Sequence, residues 1–450
     1  SFYLTNIFYI YYNKVMKKIG LLLLINLVLT SCVGNATFKV NAANYSSLTK
    51  DINLNAVSES NIRNYYSSLN DLSNEERQGI NLLKNLKPIL RENFEYISYD
   101  NVWKAYEITD RDWSLSPANS TSFGKFDSKN NFIYDYEYGS SSNKKNNPYI
   151  HCYYRDQTLD DRKIKAWDDH TASGINREHI WPQSQGFKFN GNGAAGPAGT
   201  DLHHLVAADG YVNQSLHNNY SYGFVKEVSK NGNRESTKNN KFGSAKTSSS
   251  SDLANEVFEP QDQDKGDIAR ACFYMAAMYN NFANLTGVIS EFDPNLELAF
   301  YVAPGDKSVT SSDTVTAVYG NVKDLLEWNK LDPVDEYEMH MNDLIYNNYQ
   351  HNRNPFIDFP QWADYIYGAD KDKKYASPLT DELCKNGEYI APSDDDTLFD
   401  FSSIPPYVYI VVGLVVLILL IIFIIIFAKS SKSKKKKIIK NIKKVTNKKN

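Results

Sequence analysis

The sequence predicts an α+β protein: a mainly helical body around a small strand–loop–helix unit, followed by one membrane-spanning helix. Three observations carry that expectation. Apolar residues recur at helical spacing in several segments of residues 61–349. In residues 131–138, Phe132, Tyr134, Tyr136 and Tyr138 alternate with polar neighbours, as on one side of a strand. Residues 407–428 carry no charge and are long enough to cross a hydrocarbon core of about 30 Å as a helix.

In chain order, residues 1–32 read as a leader. Met16 is the first plausible start, followed by the basic pair Lys17-Lys18 and an apolar run over 20–29. Leu29-Thr30-Ser31-Cys32 resembles the lipobox of bacterial lipoproteins, which makes Cys32 a candidate lipidation site; cleavage near residues 40–43 is the alternative. Residues 33–60 are polar and read as a linker, and 61–368 as the folded domain. Its first helix holds Tyr65, Tyr66, Leu69 and Leu72. A second, holding Ile80, Leu82, Leu83 and Leu86, is expected to start near Asn74-Glu75-Glu76 and to break or kink at Pro88. Residues 99–107 read as a short helix whose aromatics serve the core. Strands are expected at 131–138 and 149–154, a polar low-complexity loop at 229–251, and helices at 265–279, 325–329 and 335–349. Residues 369–406 read as a tether.

Net charge is −4 and unevenly spread. Residues 429–450 hold 11 Lys and no acidic residue, which leaves the rest strongly acidic. An acidic body excludes nucleic-acid binding through bulk positive charge. Directly after an apolar span, the Lys run marks a cytoplasmic tail and places the domain outside the cell. The four cysteines, Cys32, Cys152, Cys272 and Cys384, form no CxxC pair, which argues against a thiolate zinc site.

Chemistry concentrates between residues 177 and 219. The stretch opens Arg177-Glu178-His179-Ile180-Trp181-Pro182, passes through a Gly/Asn/Ala-rich loop, and continues Asp201-Leu202-His203-His204-Leu205 and Val212-Asn213. Hydrolysis of a phosphodiester needs an activated water, charge neutralisation and help for the departing oxygen. A histidine can take the proton. A hard divalent cation held by oxygen ligands can do the rest; Glu178 and Asn213 supply such oxygens. Neighbouring strand residues point to opposite faces, so Glu178 and His179 can share a site only where the strand ends, as Trp181-Pro182 suggests. Asn213 is expected on a helix starting near Asp209-Gly210. Blander readings stand beside these: His203 and His204 as structural residues, Arg270 pairing with Asp267 or Glu259, and a zinc site from His179, His203 and His204.

Residues 176–182, 201–205 and 212–213, with 99–105 upstream and 265–279 and 352–360 downstream, resemble the endonuclease I family of secreted or periplasmic non-specific nucleases, of the ββα-metal (His-Me finger) class. The resemblance implies His179 as general base and Glu178 with Asn213 as ligands of Mg²⁺, or of another divalent ion such as Ca²⁺ or Mn²⁺. It implies weaker roles for Arg177, Lys265 and Arg270 toward phosphate, and for Asp201 and His203 behind the metal loop. It implies cleavage of DNA, and often RNA as well, to 5′-phosphate ends; no protein partner is inferred. Two positions depart from the family pattern. Leu216 stands where the family often has Arg; counting back from Tyr222-Gly223, a one-residue insertion puts His217 in that place, as a candidate phosphate contact. Phe359 stands where the late motif usually has His. The alternative function is a membrane-tethered nucleic-acid-binding or adhesion protein with little turnover.

Overall fold

The structure, a computed structural model, describes residues 41–42, 51–113, 115, 124–126, 132–134, 148–155, 164, 166, 174–187, 196–228, 236–245, 256–280, 294–298 and 317–384. The chain divides into two units, Ser1–Tyr389 and Ile390–Asn450, and the described residues belong to the first. Cys32, the 407–428 segment and the Lys-rich tail lie outside the described residues. Among the described residues, no helix is long and apolar enough to cross a membrane.

Helix α1 (Glu59–Tyr65) starts at Ser58, whose hydroxyl accepts from the Asn61 N–H at 3.3 Å. Helix α2 (Gly79–Arg91) begins later than expected. Residues 75–77 form a separate 3₁₀ turn, and Gly79 takes a φ of 52° that glycine adopts without a Cβ clash. The helix is not broken at Pro88. Leu82, Leu83, Leu86, Ile89 and Leu90 bury one face, and that packing outweighs the single missing N–H. Helix α3 (Val102–Thr109) buries Trp103 and Tyr106 as expected of core aromatics. Helix α4 (Lys265–Met278) is buried along its whole length. Its small residues let α5 (Val322–Leu331) approach closely: a Cβ on Gly266 would meet Asp332 O at 2.0 Å. Helix α6 (Glu336–Asn348) opens with a capping box from Asp335 and Glu338. Two short helices follow, α7 (Pro355–Asp358) and α8 (Trp362–Tyr367).

Among the described residues, β1 (Asn41–Ala42) pairs parallel with β3 (Glu95–Tyr96). β2 (Asp51–Ile52), β5 (Phe132–Tyr134) and β4 (Gly124–Phe126) form an antiparallel sheet in that order. The remainder of the predicted 131–138 strand lies outside the described residues. β6 (Ile175–His179) and β7 (Leu205–Asp209) form an antiparallel pair. β8 (Ser221–Tyr222), β9 (Glu227–Val228), β10 (Lys241–Ser244) and β11 (Val257–Glu259) form a sheet ordered 8-11-10-9, and β12 (Leu296–Leu298) pairs parallel with β13 (Ala317–Tyr319).

The second predicted strand, 149–154, is reduced to bridges. Tyr153 exchanges backbone hydrogen bonds with β7, from its N–H to Ala207 O at 2.9 Å and from the Asp209 N–H to its own O at 3.0 Å. Tyr154 then turns away with φ 69°, its N–H donating to Asp264 Oδ2 at 2.5 Å. β7 lies between two hydrophobic cores: Val206 and Ala208 face one, Leu205 and Ala207 the other.

Two segments read as linker and tether are docked on this body. The Asn53 N–H donates to Asn348 Oδ1 at 2.7 Å and Ile52 is buried. Ala376 is buried with its N–H on Arg77 O, and the Cys384 N–H reaches Asp358 O. Cys152 and Cys272 are buried and Cys384 is partly buried.

Asp110, buried beside β7, accepts from Thr109 Oγ1 at 2.7 Å, and burial pushes its carboxyl up to about 7. The ordinary value is about 3.9, so between about pH 4 and 7 the folded state keeps a proton that the unfolded chain loses. Stability from this group therefore falls as pH rises through that window. Asp110→Asn will remove that part of the slope, measured by urea unfolding at pH 5 and pH 8; an unchanged difference between the two contradicts it.

Candidate active site

The β6–β7 ladder ends at the pair His179–Leu205. One more hydrogen bond, from the Ile180 N–H to His204 O at 3.0 Å, leads into the buried Trp181 and Pro182. The strand thus ends at His179 as expected, but the alternation still holds there, and Glu178 and His179 face opposite sides of β6. Alternation along β6 sends Arg177 and His179 toward Tyr99, and Asn176 and Glu178 toward the turn Val212–His217. That turn is a π-helix whose register is shown by the Asn218 N–H donating to Asn213 O at 2.7 Å. Asp209 Oδ1 starts it, accepting from the N–H groups of Tyr211 and Val212, both at 3.0 Å.

His179 is buried, with its ring stacked on Tyr99 at 6.1 Å between centroids. Its Nε2 lies 2.9 Å from Gly199 O, which can only accept, so Nε2 carries the proton and Nδ1 keeps the lone pair. The Gln183 side-chain amide stands 3.1 Å from Nδ1. Burial lowers the pKa to about 4, the Gly199 contact opposing and Arg177 adding to the effect. A ring in that state is a proton acceptor at neutral pH. Gly199 is held by a 3₁₀ turn, Pro197–Gly199, whose Ala198 O takes His204 Nε2 at 2.6 Å. The loop before β7 therefore sets the tautomer of the strand residue before it.

On the other face, Glu178 is buried and both of its hydrogen bonds fall on Oε1, from the Tyr154 hydroxyl at 2.8 Å and from His217 Nδ1. Asn213 is half-buried and donates through Nδ2 to Asn176 Oδ1 at 2.7 Å and to Arg177 O at 3.3 Å. Among the described residues, nothing donates to Glu178 Oε2 or Asn213 Oδ1. One carboxylate oxygen and one amide oxygen are thus left unspent beside each other's strand and helix. That donor set fits a hard divalent cation that keeps most of its waters. Among the described residues no group of three or more His, Cys, Asp or Glu side chains is arranged to hold a metal.

The remaining candidates are placed less centrally. Arg177 is half-buried, its guanidinium 3.4 Å from the Tyr99 ring centroid and its NH1 donating to Tyr99 O at 2.6 Å. His217 is fully buried, Nδ1 on Glu178 and Nε2 3.0 Å from the Tyr319 hydroxyl, with no face left for phosphate. Lys265 is buried between Glu259 at 2.9 Å and Asp262 at 2.6 Å. Arg270 is fully buried in a two-pronged pair with Glu338, at 2.7 and 2.5 Å, and also meets Asp267 at 3.3 Å. Lys265 and Arg270 are thus enclosed by acidic partners, the blander alternative for Arg270. Removing one partner of such a buried pair costs about 3–5 kcal/mol. Arg270→Ala should lose about that much stability in urea unfolding, and a loss under 1 kcal/mol would show the pair to be unimportant.

Asp201 accepts from the hydroxyls of Tyr274 at 2.8 Å and Tyr279 at 2.7 Å, and from Gln350 Nε2 at 2.9 Å. His203 Nε2 stands 3.3 Å from Asn352 O. Both tie the loop before β7 to α4 and to residues 350–352 rather than touching Glu178 or His179. Leu216 is in the core, and His217, on the same π-turn, faces β6. Phe359 is buried and stacks on Trp362 at 4.3 Å, so the departure there is a packing residue.

Sequence reasoning gave no site role to Tyr99, Tyr154, Gln183 and Tyr319, and weighed His204 only as a structural residue or zinc ligand. Gln183 and His204 lie inside the motif. The three tyrosines carry no signal in a chain with 32 of them.

The family model described as Endonuclease I matches residues 79–361. An extracellular ribonuclease of Bacillus amyloliquefaciens is 35% identical over 271 residues, covering 60% of this chain and 68% of that protein. An extracellular ribonuclease of Bacillus subtilis (strain 168) is 34% identical over 272 residues, covering 60% and 69%.

Proposed function

Because the chain belongs to the endonuclease I family and is a nuclease, we propose that the end of β6 is the centre at which it hydrolyses phosphodiester bonds. The carrying observation is the fixed tautomer of His179, with Nε2 donating to Gly199 O and the Nδ1 lone pair facing the Gln183 amide, which a substrate-bound water would displace to give up its proton to Nδ1. Tyr99 and Gln183 hold the ring in place. Glu178 and Asn213 would hold a divalent ion, Mg²⁺ first and Mn²⁺ or Ca²⁺ as alternatives, whose chemistry there is neutralisation of phosphate charge and support for the departing oxygen. Arg177 is the one basic candidate left half-exposed, beside the base, and is assigned to a phosphate of the substrate.

The substrate is external nucleic acid, cut with little sequence preference to 5′-phosphate and 3′-hydroxyl ends. RNA is included as well as DNA, since the relatives are named for ribonuclease activity. On sequence grounds, residues 407–428 anchor the domain outside the membrane, the Lys-rich tail is cytoplasmic, and Cys32 is a further lipid anchor.

The test is end analysis of products. Short DNA and RNA strands digested with Mg²⁺ should give 5′-phosphate fragments by mass spectrometry. Cyclic 2′,3′-phosphate products from RNA would mean that the 2′-hydroxyl, not water, is the nucleophile, and would refute the assignment of His179.

A further inference from the structure

We propose that His217 and Tyr319 are positioning residues that aim the Glu178 carboxylate at the cation; the inference rests on the reading of Glu178 and Asn213 as its ligands. The Tyr319 hydroxyl donates to Tyr220 O at 2.8 Å and stands 3.0 Å from His217 Nε2. That contact and the stacking of the imidazole on Tyr222, at 4.5 Å between centroids, fix the ring and turn Nδ1 toward Glu178 Oε1. Tyr154 reaches the same oxygen from a different segment. A carboxylate pinned at Oε1 from two directions has its Oε2 direction set as well. Groups behind a metal ligand commonly change metal affinity by about 10–100-fold when removed.

The π-helical turn makes this possible. Asn213 and His217 sit four residues apart on one wide turn, and both face β6: Asn213 against Asn176 and Arg177, His217 against Glu178. One short element therefore carries a candidate ligand and the residue that orients the other ligand. Tyr319, from β13, packs on Trp181 at 5.1 Å between centroids, just past the end of β6.

The test is calorimetric titration of the purified, nucleic-acid-free chain with MgCl₂ and MnCl₂, run on wild type, His217→Ala and Tyr319→Phe. His217→Ala should weaken ion binding about 10–100-fold. Tyr319→Phe, which keeps the ring against Trp181, should weaken it in the same direction by a smaller factor. In cleavage assays both variants should need more ion for half-maximal rate while recovering much of the wild-type rate at saturating ion. A purely structural role would lower the melting temperature and leave the ion affinity of folded protein unchanged, which overturns the inference. Should His217→Ala fail to fold, Tyr319→Phe binding ion as tightly as wild type overturns it by itself. Wild type that binds neither ion defeats the metal reading beneath it instead.

Discussion

Replacing His179 with alanine will lower the cleavage rate by about 10²–10⁴-fold, the usual worth of a positioned general base. The loss should appear in kcat, because the ring is buried behind Tyr99 and contributes little surface to substrate binding. Nucleic-acid affinity, measured by filter binding in the presence of divalent ion, should stay within a few-fold of wild type. Folding should survive as well. The residue ends a strand whose ladder is made of backbone hydrogen bonds, and the substitution frees only the Gly199 carbonyl and the Gln183 amide. A variant that cuts at the normal rate would move the base elsewhere. One that loses binding and turnover together would make His179 a structural residue.

Glu178→Gln should be nearly as damaging, by about 10²-fold or more in kcat/KM, because it removes the one carboxylate in the donor pair. The amide keeps the volume of the side chain and can still meet the Tyr154 hydroxyl, so the shape of the buried site is retained. What it loses is negative charge opposite a cation. The deficit should therefore shrink as the divalent ion concentration is raised, which sets it apart from the His179 variant, where added ion recovers nothing. Identical ion dependence in wild type and Glu178→Gln would remove Glu178 from the ligand set.

The core of this site was legible because it is local. Glu178 and His179 are neighbours, Trp181-Pro182 announces the strand end, and Asn213 follows a cap that Asp209 supplies. Its supports were not legible because they come from far along the chain. Tyr154, Tyr319 and Tyr99 reach the site only through tertiary packing, and their residue type is too common here to stand out. The same distance misdirected the reading of Lys265 and Arg270. A cation near a catalytic motif looks like a phosphate contact until Glu259 and Glu338 are seen to enclose it.

Composition misread the boundaries for a related reason. Residues 51–57 and 370–384 are polar, yet their backbone groups find partners on the body, including Asn348, Arg77 and Asp358. Pro88 marked a break that buried leucines carry the helix across. His217 is the position where sequence and structure together say most. Expected as a phosphate contact, it lies on a π-turn and faces the Glu178 carboxylate instead.

The most direct measurement of the central claim is a side-by-side digestion of plasmid DNA and of RNA by purified wild type and His179→Ala, with Mg²⁺ and with EDTA. The account predicts that wild type degrades both substrates with Mg²⁺, that EDTA stops it, and that His179→Ala binds the substrates without cutting them. Wild type that is inert with Mg²⁺, Mn²⁺ and Ca²⁺ alike, or that cuts equally well in EDTA, would contradict it.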